Sequence, residues 1–237
     1  MMDKQKEIIE MFNAISPTYD RLNRILSLGI DRRWRKKGCE AALRFYGKAP
    51  RLLVDVATGT GDLILFWRQA AGRTGYGIDR EIGVDPAVGM LDIARQKVAG
   101  AEFLEGQATA LPVQDGEADI VSISYGIRNV VALDEALREF FRVLKPGGLL
   151  MILEFMSHEK KSLIDRAMLL YMKKILPSIG RLVSKDKRAY TYLPESIEAF
   201  LTVEQMKEKL QNAGFEIVQI HDETFKISTR FIARKPL

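Results

Sequence analysis

The chain has 237 residues, 47% apolar and 28% charged, a composition that suits one globular domain with a sizeable core. Its single cysteine, Cys39, excludes an internal disulfide and points to a cytoplasmic protein, and the isolated His158 and His221 give no cluster at metal-ligand spacing, so no metal is expected. The net charge of +5 admits an anionic partner, but no nucleic-acid module accompanies it, and no apolar run approaches the ~20 residues needed to span a bilayer.

In chain order, Ile8, Ile9, Phe12 and Ile15 recur at helical spacing and predict an amphipathic helix over 3–15, ended by Ser16-Pro17. Acidic residues among these apolar ones argue against a signal peptide. A second helix over 31–46 carries the basic run Arg32, Arg33, Arg35, Lys36 and Lys37 and completes an N-terminal helical cap, residues 1–48. Alternation follows: strand 52–56, helix 62–71, strand 82–85, helix 87–98, strands 101–105 and 118–124, helix 133–144 and strand 149–154. Strands alternating with helices predict a doubly wound, mostly parallel sheet.

Residues 156–200 break the rhythm. A long apolar stretch over 168–176, with Lys173 and Lys174 inside it, is interrupted by Pro177 and Gly180 and reads as a helical lid insertion. Its cations Arg181 and Lys185 suit either a solvated face or anionic lipid headgroups. Regular structure resumes at Thr202, which with Gln205 fits a capping box, and the helix ends near Gly214. Strands 215–221 and 225–234 lie too close in sequence for a crossover, so that pair is antiparallel. The sheet core spans 50–155 and 202–237, within a single domain of the class I methyltransferase, Rossmann-like α/β architecture.

Residues 53–61, Leu-Val-Asp-Val-Ala-Thr-Gly-Thr-Gly, end a strand in a G-x-G turn. The dinucleotide fingerprint needs a third glycine where Ile64 stands. Asp55, and Asp62 as the expected N-cap, would repel a pyrophosphate but suit a ligand carrying an ammonium and a sulfonium. S-adenosylmethionine is such a ligand; an ordinary strand-to-helix turn is the alternative. The loop residues Gly59, Thr60 and Gly61 would then meet the cofactor. Ligands of doubly wound folds sit beyond the strand ends. Asp85 is the expected ribose acceptor, with Asp79 competing. Gln107 and Ala108 would bracket the adenine, and Ser124 would line the methionine end.

Several segments carry a resemblance over nearly the whole chain. They are Tyr19-Asp20-Arg21-Leu22-Asn23 continuing through Ser27, Gly29 and Trp34; Ser124-Tyr125-Gly126-Ile127-Arg128-Asn129-Val130; the run from Arg142 through Lys145-Pro146-Gly147-Gly148 to Glu154; and Tyr190, Tyr192, Leu193, Glu195, Ser196 and Ile197. The chain resembles the ubiquinone/menaquinone biosynthesis C-methyltransferases. Leu22, Asp31, Gln107 and Met156 depart from that family's usual Met, His, Asn or Asp, and Ser.

The resemblance implies methyl transfer to a ring carbon of a prenylated hydroquinone, demethylmenaquinol becoming menaquinol. It assigns Arg128 to the phenolate oxygen, with Asn129 and Tyr19 as catalytic partners and Asn23 and Tyr192 at the acceptor. A purely structural Tyr19–Arg128 pair tying the cap to the sheet is the alternative role. A lipid-borne acceptor further implies peripheral association with the inner face of an anionic membrane, and a homodimer is admitted. Two other functions stay open: a methyltransferase for another lipid or phenolic acceptor, and a cofactor- or nucleic-acid-binding protein without catalysis.

Overall fold

The computed structural model describes residues 2–158 and 188–237. The lid stretch 168–176, together with Arg181 and Lys185, lies outside the described residues. An N-terminal layer comprises α1 (Met2–Ile15), a 3-10 turn (Ser16–Thr18), α2 (Tyr19–Leu26) and α3 (Ile30–Tyr46). Then come β1 (Leu52–Val56), α4 (Asp62–Thr74), β2 (Arg80–Asp85), α5 (Val88–Lys97), β3 (Glu102–Glu105), β4 (Ala118–Ser124), α6 (Leu133–Val143) and β5 (Leu144–Glu154). The described chain closes with α7 (Arg188–Glu198), α8 (Val203–Asn212), β6 (Glu216–Glu223) and β7 (Ser228–Arg234).

The strands form one seven-stranded sheet in the order β3-β2-β1-β4-β5-β7-β6. Strands β1 to β5 pair in parallel, while β7 lies antiparallel to both β5 and β6. The alternation and the short last connection predicted this arrangement. Successive strand residues face opposite layers. Val54, Val56, Val121, Ile123 and Ile152 pack with α6 and α8 through Phe140, Met206 and Leu210. Leu53, Ile120, Met151 and Ile232 pack with α3 and α4 through Trp34, Leu43, Phe66 and Trp67. Each large side chain so buried contributes roughly 1.5–3 kcal/mol. Among the described residues, no helix is long and apolar enough to cross a membrane.

Several boundaries differ from the sequence reading. Helix α2 was not anticipated. It is only eight residues long, with Tyr19, Leu22, Ile25 and Leu26 at helical spacing and Asp20 in the first turn and Arg24 in the last. Strand β5 begins at Leu144 and runs through Lys145-Pro146-Gly147-Gly148, with a register shift against β4. The strand expected at 225–234 starts at Ser228, because residues 224–226 form a 3-10 turn with Phe225 and Lys226 at positive φ. The capping box is present: Gln205 N–H donates to Thr202 Oγ1 (3.3 Å) and Thr202 N–H to Gln205 Oε1 (2.9 Å).

Candidate active site

The strand order reverses between β1 and β4, and a cavity of about 310 Å³ opens beyond the ends of these strands. The backbone there is unusual. Ala57 (φ 50°) and Tyr125 (φ 58°), which follow β1 and β4, both sit in the left-handed region, at a cost of order 1–3 kcal/mol each. Gly126 permits the two strand ends to close up, since a Cβ on it would lie 2.5 Å from the Ala57 Cβ. Such strain concentrates where a fold presents backbone to a ligand.

Asp85 braces the glycine loop. It accepts the Gly59 N–H at Oδ2 (2.8 Å) and the Ala87 N–H at Oδ1 (2.8 Å). Burial outweighs these two bonds and pushes its carboxyl up to about 6. Its competitor Asp79 precedes β2, at the opposite end of the strand from the cavity, where its N–H donates to Pro50. Asp55 is more deeply buried. It accepts from Thr58 Oγ1 (2.7 Å) and Ser122 Oγ (2.8 Å), and burial pushes it up to about 7.

Asp62 does not cap α4. The N-cap is Gly61, in the left-handed conformation and without a side-chain cap, and Asp62 is the first helical residue. Its carboxylate receives Arg24 Nη2 (2.6 Å), Lys97 Nζ (2.8 Å) and Arg35 Nη1 (3.4 Å). Burial works to raise it, but the hydrogen bonds from Lys97 and Arg24 and the nearby Arg35 charge hold it below the ordinary carboxylate value. Thr60 Oγ1 donates to Asp20 (2.6 Å), and Lys97 Nζ reaches both Asp20 (2.7 Å) and Thr60 (2.8 Å). This network pins α2 to the glycine loop. Asp62, expected to face the ligand's positive charge, lines a small polar pocket beside the loop and is at the same time tied to the cap.

Of the expected residues, Tyr19, Gly59, Asp85, Gln107, Ala108, Ser124 and Asn129 line the cavity together. A smaller polar pocket shares Tyr19, Gly59 and Ser124 with it and adds Asp55 and Thr60. The Ser124 hydroxyl oxygen is buried with no hydrogen-bond partner in either pocket wall. Together with the Asp85 carboxylate and the cavity wall at Gln107 and Ala108, that orphaned group suits a ligand with a diol, a flat heterocycle and a polar tail. The residues present therefore fit S-adenosylmethionine. The sequence reading missed the roof: Gln5, Ile8, Ile9 and Phe12 of α1 close the cavity. Their helical period was visible, but nothing in a period says which surface its apolar face covers.

Four expected residues lie elsewhere, and one of them, Gly61, lines neither pocket and serves as the N-cap of α4. Asn23 and Tyr192 do not line the cavity, although the Tyr192 hydroxyl donates to Asn129 Oδ1 (2.8 Å). Arg128 does not line it either. Its guanidinium is 6% exposed and committed to the fully buried Glu154, to the Tyr125 carbonyl (3.1 Å) and to Ser196 Oγ (3.3 Å). A structural ion pair does exist at Arg128, but its partner is Glu154 and not Tyr19.

A model of the ubiE/COQ5 methyltransferase family matches residues 1–235. The ubiquinone/menaquinone biosynthesis C-methyltransferase UbiE of Campylobacter jejuni is 49% identical over 99% of this chain and 100% of that protein. A demethylmenaquinone methyltransferase of Thermus thermophilus is 41% identical over 95% of this chain and 100% of that protein. Among solved structures, a SAM-dependent methyltransferase from Aquifex aeolicus superposes with a TM-score of 0.58 at 19% identity, covering 83% of this chain and 89% of that one. The [4+2]-cyclase SpnF gives 0.67 at 18% identity, covering 98% and 97%. These two show the fold alone, and a cyclase among them illustrates that the fold by itself does not choose the reaction.

Proposed function

The chain belongs to the ubiE/COQ5 methyltransferase family, and on that premise we propose that it methylates a ring carbon of a prenylated hydroquinone, with demethylmenaquinol as the acceptor. The observation that carries this reading is the cavity at the strand-order reversal. One wall, with Asp85, Gln107 and Ala108, suits a nucleoside, and the roof formed by Ile8, Ile9 and Phe12 suits an apolar ring.

Bound S-adenosylmethionine supplies a methyl group activated on a sulfonium. Asp85 would hold the ribose hydroxyls, Gln107 and Ala108 would flank the adenine, Gly59 would let the loop backbone approach, and Ser124 would face the methionine end. A ring carbon becomes nucleophilic when the neighbouring phenol loses its proton, so the protein must favour the phenolate and hold it in line. Asn129 fits that role. Tyr192 occupies its amide oxygen, so the amide N–H groups of this cavity-lining residue would be its donors to a phenolate. Arg128 then acts from behind, by fixing the turn that presents Tyr125 and Asn129.

An acceptor panel tests the reading. Purified protein is incubated with S-adenosylmethionine and either demethylmenaquinol, a demethylated benzoquinol or phosphoethanolamine, and products are read by mass spectrometry. Methylated quinol, with demethylmenaquinol turned over fastest, is the expected result. Methylation of phosphoethanolamine with both quinols untouched would contradict it.

A further inference from the structure

Arg35 lies on α3 and is the least satisfied cation near the site. Its side chain is 7% exposed, yet among the described residues only one of its five N–H donors makes a hydrogen bond, the 3.4 Å contact from Nη1 to Asp62. The Asp31 carboxylate stands 3.7 Å away, beyond hydrogen-bond reach, and Nε has no partner. Buried guanidinium groups are normally held by bidentate carboxylates. Arg35 also lines the smaller polar pocket, beside Asp55, Thr58, Gly59 and Ser124.

The acids around it are already engaged. Asp62 is held by Arg24 and Lys97, Asp20 by Thr60 and Lys97, and Asp31 by Arg24 and the Ser27 hydroxyl. Asp55 accepts from Thr58 and Ser122. The pocket is thus left with spare donors on one cation and an unpartnered Ser124 hydroxyl oxygen. The Tyr125 ring beneath the guanidinium, 5.3 Å from its centre, keeps Arg35 in place.

We propose that Arg35 binds the α-carboxylate of the cofactor's aminoacyl end in this pocket, and so anchors the methyl donor from the N-terminal cap. The inference rests on the methyltransferase reading and assigns a ligand to a residue of its site. It also gives the cap a purpose. Helix α3 brings the cation, while the network from α2 to Thr60 and Asp62 holds cap and loop at a fixed separation, so the donor is gripped between two elements far apart in sequence.

The test compares ligands with and without that carboxylate by isothermal titration. Wild-type protein is titrated with S-adenosylmethionine and with its decarboxylated analogue, which keeps the adenosine, the sulfonium and the ammonium. The proposal expects the analogue to bind at least tenfold more weakly. In Arg35→Gln, and more mildly in Arg35→Lys, affinity for S-adenosylmethionine should fall by a similar factor while the analogue is little changed, so the gap closes. Equal binding of both ligands by wild type overturns the proposal, as does a variant that weakens both ligands alike. If the variants do not fold, the wild-type comparison alone decides. Failure to bind either ligand would instead strike the cofactor reading itself.

Discussion

Asp85 has one duty in the fold and a second in the proposed cofactor site, and its protonation separates them. It braces the loop through Gly59 and Ala87, and it lines the cavity. Burial raises its carboxyl to about 6. A ribose diol donates better to the carboxylate than to the acid, so binding must expel a proton when the pH lies below that value. Cofactor affinity should therefore be flat above about pH 6.5 and fall towards tenfold per pH unit below about 6. The stability contribution has the opposite sign. Because the folded value is raised, protonation favours the folded state at low pH, and that contribution is lost as the pH rises through about 6. Asp85→Asn should lower affinity at neutral pH by about 1.5–3 kcal/mol, the scale of hydrogen bonds to a charged group, and remove most of the pH break. Titration calorimetry between pH 5 and 8 checks both. A break unchanged in Asp85→Asn would move the titrating group to Asp55, which burial raises to about 7.

At the scale of elements, the ends of β4, β5 and α7 meet at Arg128. Its guanidinium bridges Glu154 at the end of β5, the carbonyl after β4 and Ser196 on α7. Breaking a buried pair by removing one partner typically costs about 3–5 kcal/mol, because the other charge stays buried. Arg128→Ala should thus lose stability on that scale in urea unfolding, and lose methyl transfer with it. Asn129→Ala should behave differently, with stability and cofactor affinity near wild type and turnover lowered by about 10²–10³. An Arg128→Ala variant as stable as wild type but silent in catalysis would restore the direct role in acceptor binding that the sequence suggested. The sequence could name Arg128 and Asn129 as a motif, but it could not say which faced the cavity. That choice depends on Glu154 and Tyr192, which are 26 and 63 residues away.

Across the whole molecule, what was legible in the sequence was what repeats or breaks locally. The alternation of strands and helices, the Gly59–Gly61 turn, Asp85 at the end of β2 and the capping box at Thr202 are all short-range signals, and each appears in the fold. What escaped was partner choice among charges. Asp62 reads as the N-cap of α4, but Gly61 takes that position, and nothing local announces that α2 delivers Arg24 and α5 delivers Lys97 to its carboxylate. Arg35 reads as one cation in a basic run until α3 turns it inward and leaves its neighbours Arg32 and Arg33 exposed. Helix α1 reads as an ordinary amphipathic helix until it roofs the cavity. These roles follow from long-range packing, which no local period records.

The most direct measurement follows the methyl group itself. The protein is given S-adenosylmethionine with an isotopically labelled methyl, together with demethylmenaquinol, and the product is examined by nuclear magnetic resonance. The label is expected on a ring carbon of the naphthoquinol, with one S-adenosylhomocysteine formed for each methyl transferred. Label on a phenolic oxygen, or cofactor bound with no label transferred to the quinol, would contradict it.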